Sequence, residues 1–416
     1  MGYVGLPLAV AFAEAGANVI GIDTDPDKLE SLNQGRSHVE DISADRVQSL
    51  VSSGKLRFAK DYSALRDSRA VMLCLPTPLN EHREPDLSAV TAGAEAVGDN
   101  LSTGALVVLE STTYPGTTRE VLLPILERGG DRAVGRDFFL AFSPERVDPG
   151  NRRYTLENTP KVVSGITAEC GERAEFLYRL VAKEVHRVSS TESAELSKLL
   201  ENIFRSVNIA LVNELAILCE RMGIDVWEVV DTAATKPFGF MPFYPGPGLG
   251  GHCLPIDPFY LAWRARAFGL NTEFIELAGR VNVGMPRYAF TRISEALNRD
   301  ARPVNGSKVL MLGMSYKPNI GDLRESPCLE ILRLLRESGA DVAYHDPYIP
   351  SLPSHGLASV ALSAPEIERA DCVVIGTDHD SIDLRAVVSS GVRVVDLRNA
   401  VRKKLGHPLP GNVDVL

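Results

Sequence analysis

The sequence lacks clustered cysteines, long apolar runs and clustered cations, and each absence argues against one class of protein. Its six cysteines are scattered, with no Cys-x-x-Cys pair and no zinc spacing, so free thiols in a reducing, cytoplasmic compartment are expected, without a disulfide scaffold or a metal. No apolar run approaches the ~18 residues of a membrane span, so no membrane insertion is expected. The net charge is −10 without a long Lys/Arg cluster, which disfavours nucleic acid as a partner.

The composition that remains is typical of a soluble globular protein. Hydrophobic residues make up 44% of the 416 residues and charged residues 24%. At ~150 residues per domain, this length predicts two or three domains. The sequence contains no repeat of solenoid length and no low-complexity tract. The fold class is therefore inferred from the order of apolar runs and helical patterns.

The first 23 residues read as a helix followed by a strand that ends in an acid. They carry no basic segment, and Glu14 interrupts the apolar stretch, so they do not match a signal peptide. They match the second half of a dinucleotide-binding βαβ unit, in which glycines admit the pyrophosphate at a helix N-terminus and the acid binds ribose hydroxyls. Asp23 lies 18 residues after Gly5, close to the expected ~20. Only Gly2 and Gly5 of the glycine fingerprint are present, and an ordinary helix start fits equally well.

Strand-like apolar runs alternate with helical patterns through roughly the first 190 residues. Continuous apolar strands separated by helices predict a parallel sheet covered on both faces. Ligands bind at the carboxyl ends of strands in such sheets, so the loops that follow the strands line one candidate site. The strand-like runs are 70–75, 105–110, 138–142 and 161–164, and the loops are 76–78, 111–116 and 143–145.

A helical pattern without proline or glycine runs from Ser193 to Met222. Its roughly 30 residues predict a helix ~45 Å long, enough to bridge two domains. Apolar residues on more than one face of so long a helix need burial, so a homodimer or higher homo-oligomer formed through this helix is expected. A Gly/Pro-rich loop over 242–253 follows, and then further helix to about Asn298.

A second set of alternating strands and helices begins after a polar linker at 301–307. The predicted fold is α/β, with two Rossmann-like parallel-sheet domains joined by a helical middle domain that contains the long helix. We expect the domains to span 1–190, 191–300 and 301–416. The strand-like runs of the second set are 308–314, 341–344, 371–376 and 392–396.

Cys253 is the strongest single candidate for a catalytic residue. It follows four glycines within eight residues, and a thiol carried by such a loop can act as a nucleophile, whereas a lone cysteine is usually inert core. The neighbouring His252 is expected to be structural, because adjacent side chains in an extended loop point apart, and a Cys/His protease is disfavoured. Asp257 ends a proline-rich turn and fits either a catalytic role or a helix N-cap.

Lys198 and Asn202 lie four residues apart and share one face of the long helix. Most such pairs are solvated, but apolar neighbours leave a buried or cleft-facing lysine open. A lysine in a cleft could lower the pKa of a thiol or stabilise an oxyanion. Glu145, after Ser-Pro, fits a general acid or base as well as it fits an exposed loop carboxylate.

Taken in order along essentially the whole chain, these segments resemble the nucleotide-sugar 6-dehydrogenases, the UDP-glucose/UDP-N-acetylhexosamine dehydrogenase family. They include Gly2-Tyr-Val-Gly-Leu-Pro7 and Gly250-Gly-His-Cys-Leu-Pro-Ile-Asp257. Each motif alone is weak evidence for the family, but the complete set in this order is highly specific for it. Besides Lys198 and Asn202, the other matching segments are 76–78, 110–117, 143–145, 315–318, 322–326 and 396–398.

The resemblance implies a four-electron oxidation of the C6 alcohol of a UDP-sugar to a carboxylate, with two NAD used in turn. After the first hydride leaves, Cys253 would attack the C6 aldehyde to give a thiohemiacetal. The second oxidation would give a thioester, which water hydrolyses. Holding the intermediate covalently would prevent release of the aldehyde between the two oxidations.

The resemblance also assigns roles to the other site residues. Lys198 would stabilise the oxyanion, aided by Asn202. Asp257 and Thr112 would position the water, and Glu145 would assist proton transfer. The implied NAD contacts are Gly2, Tyr3, Val4, Gly5, Asp23, Lys28, Thr77, Thr112 and Arg324. The implied UDP-sugar contacts are Glu145, Lys198, Asn202, Tyr244, Gly246, Gly248, Gly250, Lys317 and Arg398, of which the two cations Lys317 and Arg398 suit a pyrophosphate.

The sequence departs from the family pattern in two places. Pro149 stands where UDP-glucose enzymes carry a second glutamate, which together with the sequences at 112–115 and 243–248 favours the N-acetylhexosamine branch. UDP-N-acetylglucosamine is therefore expected first and UDP-glucose second, with the N-acetylgalactosamine and N-acetylmannosamine forms open. The strand that should precede Gly2 is missing, so a truncated or misassigned start is expected, which would remove the central strand of the cofactor sheet.

Two alternatives from other classes stay open. One is an inactive UDP-sugar-binding remnant, in which the C-terminal domain survives while the cofactor domain is broken. The other is a 3-hydroxyacid-type dehydrogenase, which also places a lysine and an asparagine four apart on a helix. That class has no need for Cys253 or for a second nucleotide-binding domain.

Overall fold

The computed structural model describes residues 1–148, 151, 153–251, 254–406 and 408–416 of the chain. These residues form two compact units. The first unit comprises Met1–Glu201 with Phe259–Leu270, and the second comprises Asn202–Pro258 with Asn271–Leu416.

The first unit alternates strands and helices, as the apolar runs predicted. Its two central strands are fully buried, because helices cover the sheet on both faces. The helices that precede residue 190 are α1 (Gly5–Glu14), α2 (Pro26–Asn33), α3 (Ala44–Ser52), α4 (Ser88–Asn100), α5 (Leu123–Glu127) and α6 (Ala168–Tyr178). The strands are β1 (Val19–Ile22), β2 (Leu56–Ala59), β3 (Ala70–Leu73), β4 (Leu106–Leu109), β5 (Phe139–Phe142), β6 (Lys161–Gly165) and β7 (Val185–Arg187).

The strands of this unit pair in two groups within the described residues. Strands β1 and β2 form a parallel pair, and the order of the other sheet is β3-β4-β5-β6-β7. The prediction of a wholly parallel sheet is wrong for the run at 161–164, because β6 lies antiparallel to β5. The physical reason is the connection: a parallel neighbour needs a crossover, usually a helix, and the described part of 143–160 contains no helix.

No ladder joins β1 to β3 in the described chain, yet one apolar core spans both groups of strands. Leu8 and Phe12 of α1 pack in the same cluster as Val19 of β1 and Met72 of β3. The helix therefore connects the two groups by side-chain packing.

The second unit contains a sheet in the order β14-β13-β12-β8-β9, and its described pairs are all parallel. Apolar clusters cover both faces, with α10 and α11 on one side and α12, α13 and α14 on the other. The strands of this unit are β8 (Lys308–Leu312), β9 (Asp341–His345), β10 (Ser351–Leu352), β11 (Leu357–Ala358), β12 (Cys372–Ile375), β13 (Arg393–Asp396) and β14 (Val413–Val415). The helices are α8 (Val226–Ala234), α10 (Glu273–Arg299), α11 (Pro327–Glu337), α12 (Ala364–Glu368), α13 (Leu384–Ser389) and α14 (Ala400–Leu405).

Helices α7 (Thr191–Met222) and α9 (Asp257–Arg266) contribute residues to both units. The 32 residues of α7 agree with the predicted long helix to within two residues at its start. In the described part of the chain, α7 alone is long and apolar enough for a membrane span, which is weak evidence because core helices meet the same test. Buried polar contacts of Glu195 and Asn213 mark α7 as a helix that packs against protein.

Candidate active site

The start of α1 and the end of β1 bring a glycine turn next to an acid. The carboxylate of Asp23 accepts hydrogen bonds from the Asp25 N–H at 3.0 Å and from Lys28 Nζ at 3.1 Å. It also accepts one from the amino group of Met1. Burial works to raise the pKa of Asp23, but these donors outweigh burial and lower the pKa to about 2. Asp23 is therefore an ionised hydrogen-bond acceptor near neutral pH.

The N-terminus of α1 is suited to an anion. Its first turn carries no acidic residue, and a Cβ added to Gly2 would meet no described atom within 4 Å. The helix dipole favours negative charge at such an end. Tyr3 and Val4 form the turn that leads into Gly5, so the predicted cofactor residues at 2–5 are contiguous here.

One hydroxyl ties together the loops that follow β3 and β4. Ser111 Oγ accepts a hydrogen bond from the Leu75 N–H at 2.9 Å and lies 2.7 Å from the Leu75 carbonyl oxygen. The Leu75 loop continues into buried Thr77, and Ser111 precedes half-buried Thr112. Both predicted threonines thus lie at the carboxyl ends of parallel strands, where ligands bind in this architecture.

Glu145 lies after β5 and belongs to a buried charged cluster that the sequence did not reveal. Lys161 Nζ donates to Glu145 Oε2 at 3.3 Å and to Glu110 Oε2 at 2.8 Å. The Tyr178 hydroxyl donates to Glu110. Burial works to raise the pKa of Glu145, but Lys161 and backbone N–H groups lower it. The only available sequence signal was a lysine that opens an apolar strand.

Lys198 is half-buried on α7, and no described carboxylate forms an ion pair with it. One turn earlier, the buried Glu195 accepts hydrogen bonds from the Gly116 N–H at 2.6 Å, the Thr118 N–H at 2.9 Å and the Thr118 hydroxyl at 2.7 Å. Glu195 therefore fixes the loop after β4 to the start of α7. Sequence reasoning missed Glu195, because glutamates are common on exposed helix faces.

Asn202 and Asp257 form a buried hydrogen bond in the second unit. Asn202 Nδ2 donates to Asp257 Oδ2 at 2.5 Å across 55 positions of sequence. Both side chains are buried. Asp257 is the first residue of α9, one position after the N-cap, and its carboxylate contacts a predicted site residue.

The glycine-rich loop of the second unit lies against the predicted site residue Arg398 and against Tyr316, the neighbour of Lys317. A Cβ on Gly246 would lie 3.1 Å from Arg398 Nη1, and one on Gly250 would lie 2.4 Å from Tyr316 Cβ, next to Lys317. Gly248 has φ +135°, a conformation that favours glycine. The loop can therefore lie close to the residues expected to bind UDP because it carries no side chains at these positions.

The remaining predicted residues of the second unit are held by local contacts. Arg398 Nε donates to the Gly376 carbonyl at 2.8 Å. Arg324 forms an ion pair with Asp322, with Nη2 and Oδ2 at 2.6 Å. The Tyr244 ring stacks on Trp227, with ring centroids 5.6 Å apart.

Three residues on which the sequence analysis relied lie outside the described residues. They are Pro149, His252 and Cys253.

Three family models match the chain in order. The NAD-binding domain of the UDP-glucose/GDP-mannose dehydrogenase family matches residues 1–182, the central domain matches 192–283 and the UDP-binding domain matches 310–403. These domains define a nucleotide-sugar dehydrogenase. The chain belongs to the UDP-glucose/GDP-mannose dehydrogenase family, which confirms the resemblance.

Individual relatives cover nearly the whole chain. The chain is 36% identical over 381 residues to the UDP-N-acetyl-D-glucosamine 6-dehydrogenase of Pseudomonas aeruginosa, covering 91% of this chain and 89% of the relative. It is 35% identical over 410 residues to the UDP-N-acetyl-D-mannosamine dehydrogenase of Pyrococcus horikoshii, covering 97% and 95%. The solved structure of the UDP-D-ManNAc dehydrogenase from Pyrococcus horikoshii matches with a TM-score of 0.90 at 33% identity, over 100% of this chain and 97% of that one. The predicted α/β fold class is confirmed.

Proposed function

We propose that this protein oxidises the C6 alcohol of UDP-N-acetylglucosamine to the carboxylate in two successive NAD-dependent steps. The NAD-binding and UDP-binding family domains support the cofactor and the UDP-sugar class, and relatives named for N-acetylated sugars support the acetamido sugar. The observation that carries the proposal is the buried contact between Asn202 and Asp257, because it joins two residues assigned to one reaction from distant parts of the sequence. UDP-glucose is the runner-up substrate.

The described residues fit NAD. The ionised Asp23 can accept hydrogen bonds from the ribose hydroxyls, with Lys28 beside it, and the glycine turn before α1 can receive the pyrophosphate. When bound, NAD supplies a hydride acceptor for each of the two oxidations. The further residues assigned to the cofactor are Tyr3, Val4, Thr77, Thr112 and Arg324.

The proposed reaction consists of two oxidations, a covalent intermediate on Cys253 and a hydrolysis. In the first oxidation the C6 alcohol loses a hydride and a proton, and the Cys253 thiol then adds to the resulting aldehyde. Loss of a second hydride and proton from the thiohemiacetal leaves a thioester. Water attacks the thioester, releasing the carboxylate and the thiol. The ammonium of Lys198 and the amide of Asn202 stabilise the negative charge on the C6 oxygen.

Hydrolysis of the thioester needs an oriented water. Asp257 is suited to this because its buried carboxylate is already held by a hydrogen bond, and the family resemblance assigns Thr112 to the same task. Glu145 assists proton transfer as a carboxylate. The glycine loop, with Tyr244, Gly246, Gly248 and Gly250, holds the UDP-sugar together with Lys317 and Arg398.

The UDP-binding family domain argues against the 3-hydroxyacid alternative, which has no need for one. The UDP-sugar-binding remnant makes a different prediction from the enzyme. Incubation of the protein with NAD and UDP-N-acetylglucosamine should yield two NADH per sugar, with a lower kcat/KM for UDP-glucose. Measured UDP binding without NADH from any UDP-sugar would reject the enzyme and leave the remnant.

The covalent step has a separate test. Cys253→Ser should abolish formation of the uronate, because a serine hydroxyl at neutral pH is a far weaker nucleophile than a thiol. Product can be followed by mass spectrometry of the nucleotide sugar. Cys219→Ser, which changes a buried thiol of α7, is the matched control and should retain activity. Uronate formed by Cys253→Ser at the normal rate would show that the covalent mechanism is wrong.

We also propose a reducing, cytoplasmic location, on the scattered cysteine spacing of the sequence.

A further inference from the structure

Lys161, the first residue of β6, is a buried cation at the centre of a polar network in the first unit. Its Nζ donates to Glu110 Oε2 at 2.8 Å and to Glu145 Oε2 at 3.3 Å. A third bond, 3.1 Å long, runs to the carbonyl oxygen of Pro144. These three acceptors use all three N–H groups of the ammonium. Lys161 is therefore fixed in position and bonds two carboxylates at once.

The carboxylate of Glu145 is held from two sides. Its Oε1 accepts hydrogen bonds from the backbone N–H groups of Arg146 at 2.8 Å and Val147 at 2.7 Å. Its Oε2 faces Lys161. The side chain keeps 16% of its surface exposed, so part of it remains accessible to a ligand. These three hydrogen bonds restrict the side chain to one orientation.

The other charged groups near Glu145 do not replace Lys161. Glu110 and Cys74 face the cluster from the loops after β4 and β3, and Tyr178 faces it from α6. The neighbouring guanidinium of Arg146 is directed away, into an ion pair with Glu201 at 2.7 Å. Among the described residues, Lys161 is thus the one cation in contact with the Glu145 carboxylate.

We propose that Lys161 is a positioning residue that keeps Glu145 as an immobile carboxylate, so that Glu145 accepts a hydrogen bond or a proton during the reaction but does not donate one from the resting enzyme. This inference rests on the proposed function, which gives Glu145 a part in proton transfer. Burial alone would raise the pKa of Glu145, and Lys161 with the two backbone N–H groups lowers it instead.

A purely structural role for Lys161 would be to neutralise buried Glu110, with no effect on Glu145. Removing Lys161 alone cannot separate the two roles, because it leaves Glu110 as an unpaired buried charge and can prevent folding. Glu110→Gln removes that charge first. Glu110→Gln is the control, and Glu110→Gln/Lys161→Met and Glu110→Gln/Lys161→Gln are the test variants, one apolar and one polar so that one of them can fold.

The first measurement is the pH dependence of kcat/KM for NADH formation. With Lys161 in place, Glu110→Gln should keep the acidic limb of the wild-type profile. The Lys161 variants should move the apparent pKa of that limb upward by at least one unit, while the KM for the UDP-sugar changes less than kcat does. Glu110→Gln/Lys161→Arg adds back a cation and should reverse part of this upward shift in apparent pKa. Identical profiles with and without Lys161 would overturn the proposal.

The second measurement does not need activity. Proteins labelled with glutamate carrying ¹³C at the carboxyl carbon are titrated by NMR, and the Glu145→Gln variant identifies the Glu145 signal by its loss. Glu145 should titrate at least one pH unit higher in the Lys161 variants than in Glu110→Gln. An unchanged titration would refute the role of Lys161 even in an active enzyme. If no UDP-sugar yields NADH, the proposed function fails and this titration still decides the inference.

Discussion

At the scale of single residues, the buried pair of Asn202 and Asp257 bears most directly on the chemistry. The Asp257 side chain is almost fully excluded from solvent, and its Oδ2 is bonded to the amide of Asn202. A carboxylate held in one orientation can position a water without reorganising during the reaction. This geometry suits a residue whose task is hydrolysis of the thioester.

Asp257→Asn should uncouple oxidation from hydrolysis. The amide preserves the size of the side chain but removes the carboxylate that positions the water, so steady-state turnover should fall by about 10²-fold. A burst of two NADH per protomer should precede the slow phase, and intact mass spectrometry should detect the sugar nucleotide bound through Cys253. Asp131→Asn, at an exposed loop position, is the control. A variant that turns over normally, with no bound sugar, would remove Asp257 from the mechanism.

Glu195 predicts a pH dependence of folding. Burial raises the pKa of this glutamate from 4.5 to about 7, against the three hydrogen bonds that it accepts. Because its folded pKa is raised, its contribution to stability is complete below pH 4.5 and decreases as the pH rises towards 7. The total decrease is about 3 kcal/mol at most, at 1.36 kcal/mol per pKa unit.

The test compares wild type with Glu195→Gln by guanidinium denaturation at pH 5 and pH 7.5. The wild type should lose more unfolding free energy between these pH values than the variant does, since glutamine does not titrate. Glu81→Gln, at an exposed position, should behave as wild type. Equal losses in wild type and Glu195→Gln would mean that Glu195 folds as an ordinary carboxylate.

Some contacts at this scale could be predicted from the sequence and others could not. Asn202 and Asp257 were assigned to one site through the family resemblance of the segments that contain them. Lys161 and Glu195 were not recognised, because a lone charge in a strand or on a helix is usually solvated. Their burial depends on tertiary packing, which leaves no local signal.

At the scale of elements, the apolar runs predicted where strands and helices lie better than how they pair. The second sheet and α7 follow the predicted pattern closely. The predicted direction of β6 was wrong because the direction of a strand depends on the path of the connection before it. The sequence of this connection contains no pattern that indicates its path. Strands β10, β11 and β14 were missed because two or three residues carry too short a pattern.

Adding a single methyl group to the glycine loop should weaken the binding of UDP. Gly250→Ala would place its Cβ 2.4 Å from Tyr316 Cβ and 3.1 Å from the Glu325 carbonyl oxygen. Relief of such overlap typically costs 1–3 kcal/mol, so UDP should bind about 10-fold or more weakly, as measured by calorimetry.

Gly284→Ala is the matched control for the loop variant. Gly284 lies inside α10, and its added Cβ would meet no described atom within 4 Å. This change should leave UDP affinity unaltered and raise the thermal midpoint slightly, since alanine favours a helix over glycine. Equal UDP affinity in both variants would show that the loop does not bind the nucleotide.

At the scale of the whole molecule, an apolar stripe on α7 remains exposed in the single chain. Phe204, Leu211, Leu215, Leu218 and Met222 recur at helical spacing, and each has a third or more of its surface exposed. Such a stripe needs a partner surface in water. We propose that a second copy of the chain covers it, as expected from the length of the helix.

The wild-type protein should therefore be a dimer or larger by light scattering at micromolar concentration. Leu211→Asp should shift it towards the monomer, because the carboxylate would lose its water in the interface. Arg221→Asp puts the same side chain on the same helix, about 100° around from the stripe, and should leave the oligomer intact. A monomeric wild type would contradict the proposal.

The division into domains at 190 and 300 also stays a proposal.

The crowding around Gly248, Gly250 and Gly251 has a consequence for enzyme engineering. A Cβ on the first glycine would lie 3.2–3.4 Å from two prolines, and one on the other two would lie 2.4 Å and 2.9 Å from the Tyr316 side chain, so an added side chain is crowded at all three. In a laboratory selection for turnover of other UDP-sugars, the selected variants should therefore keep all three glycines. The mutations that broaden the range of accepted sugars would fall on side chains that already project from the loop, Tyr244 first among them.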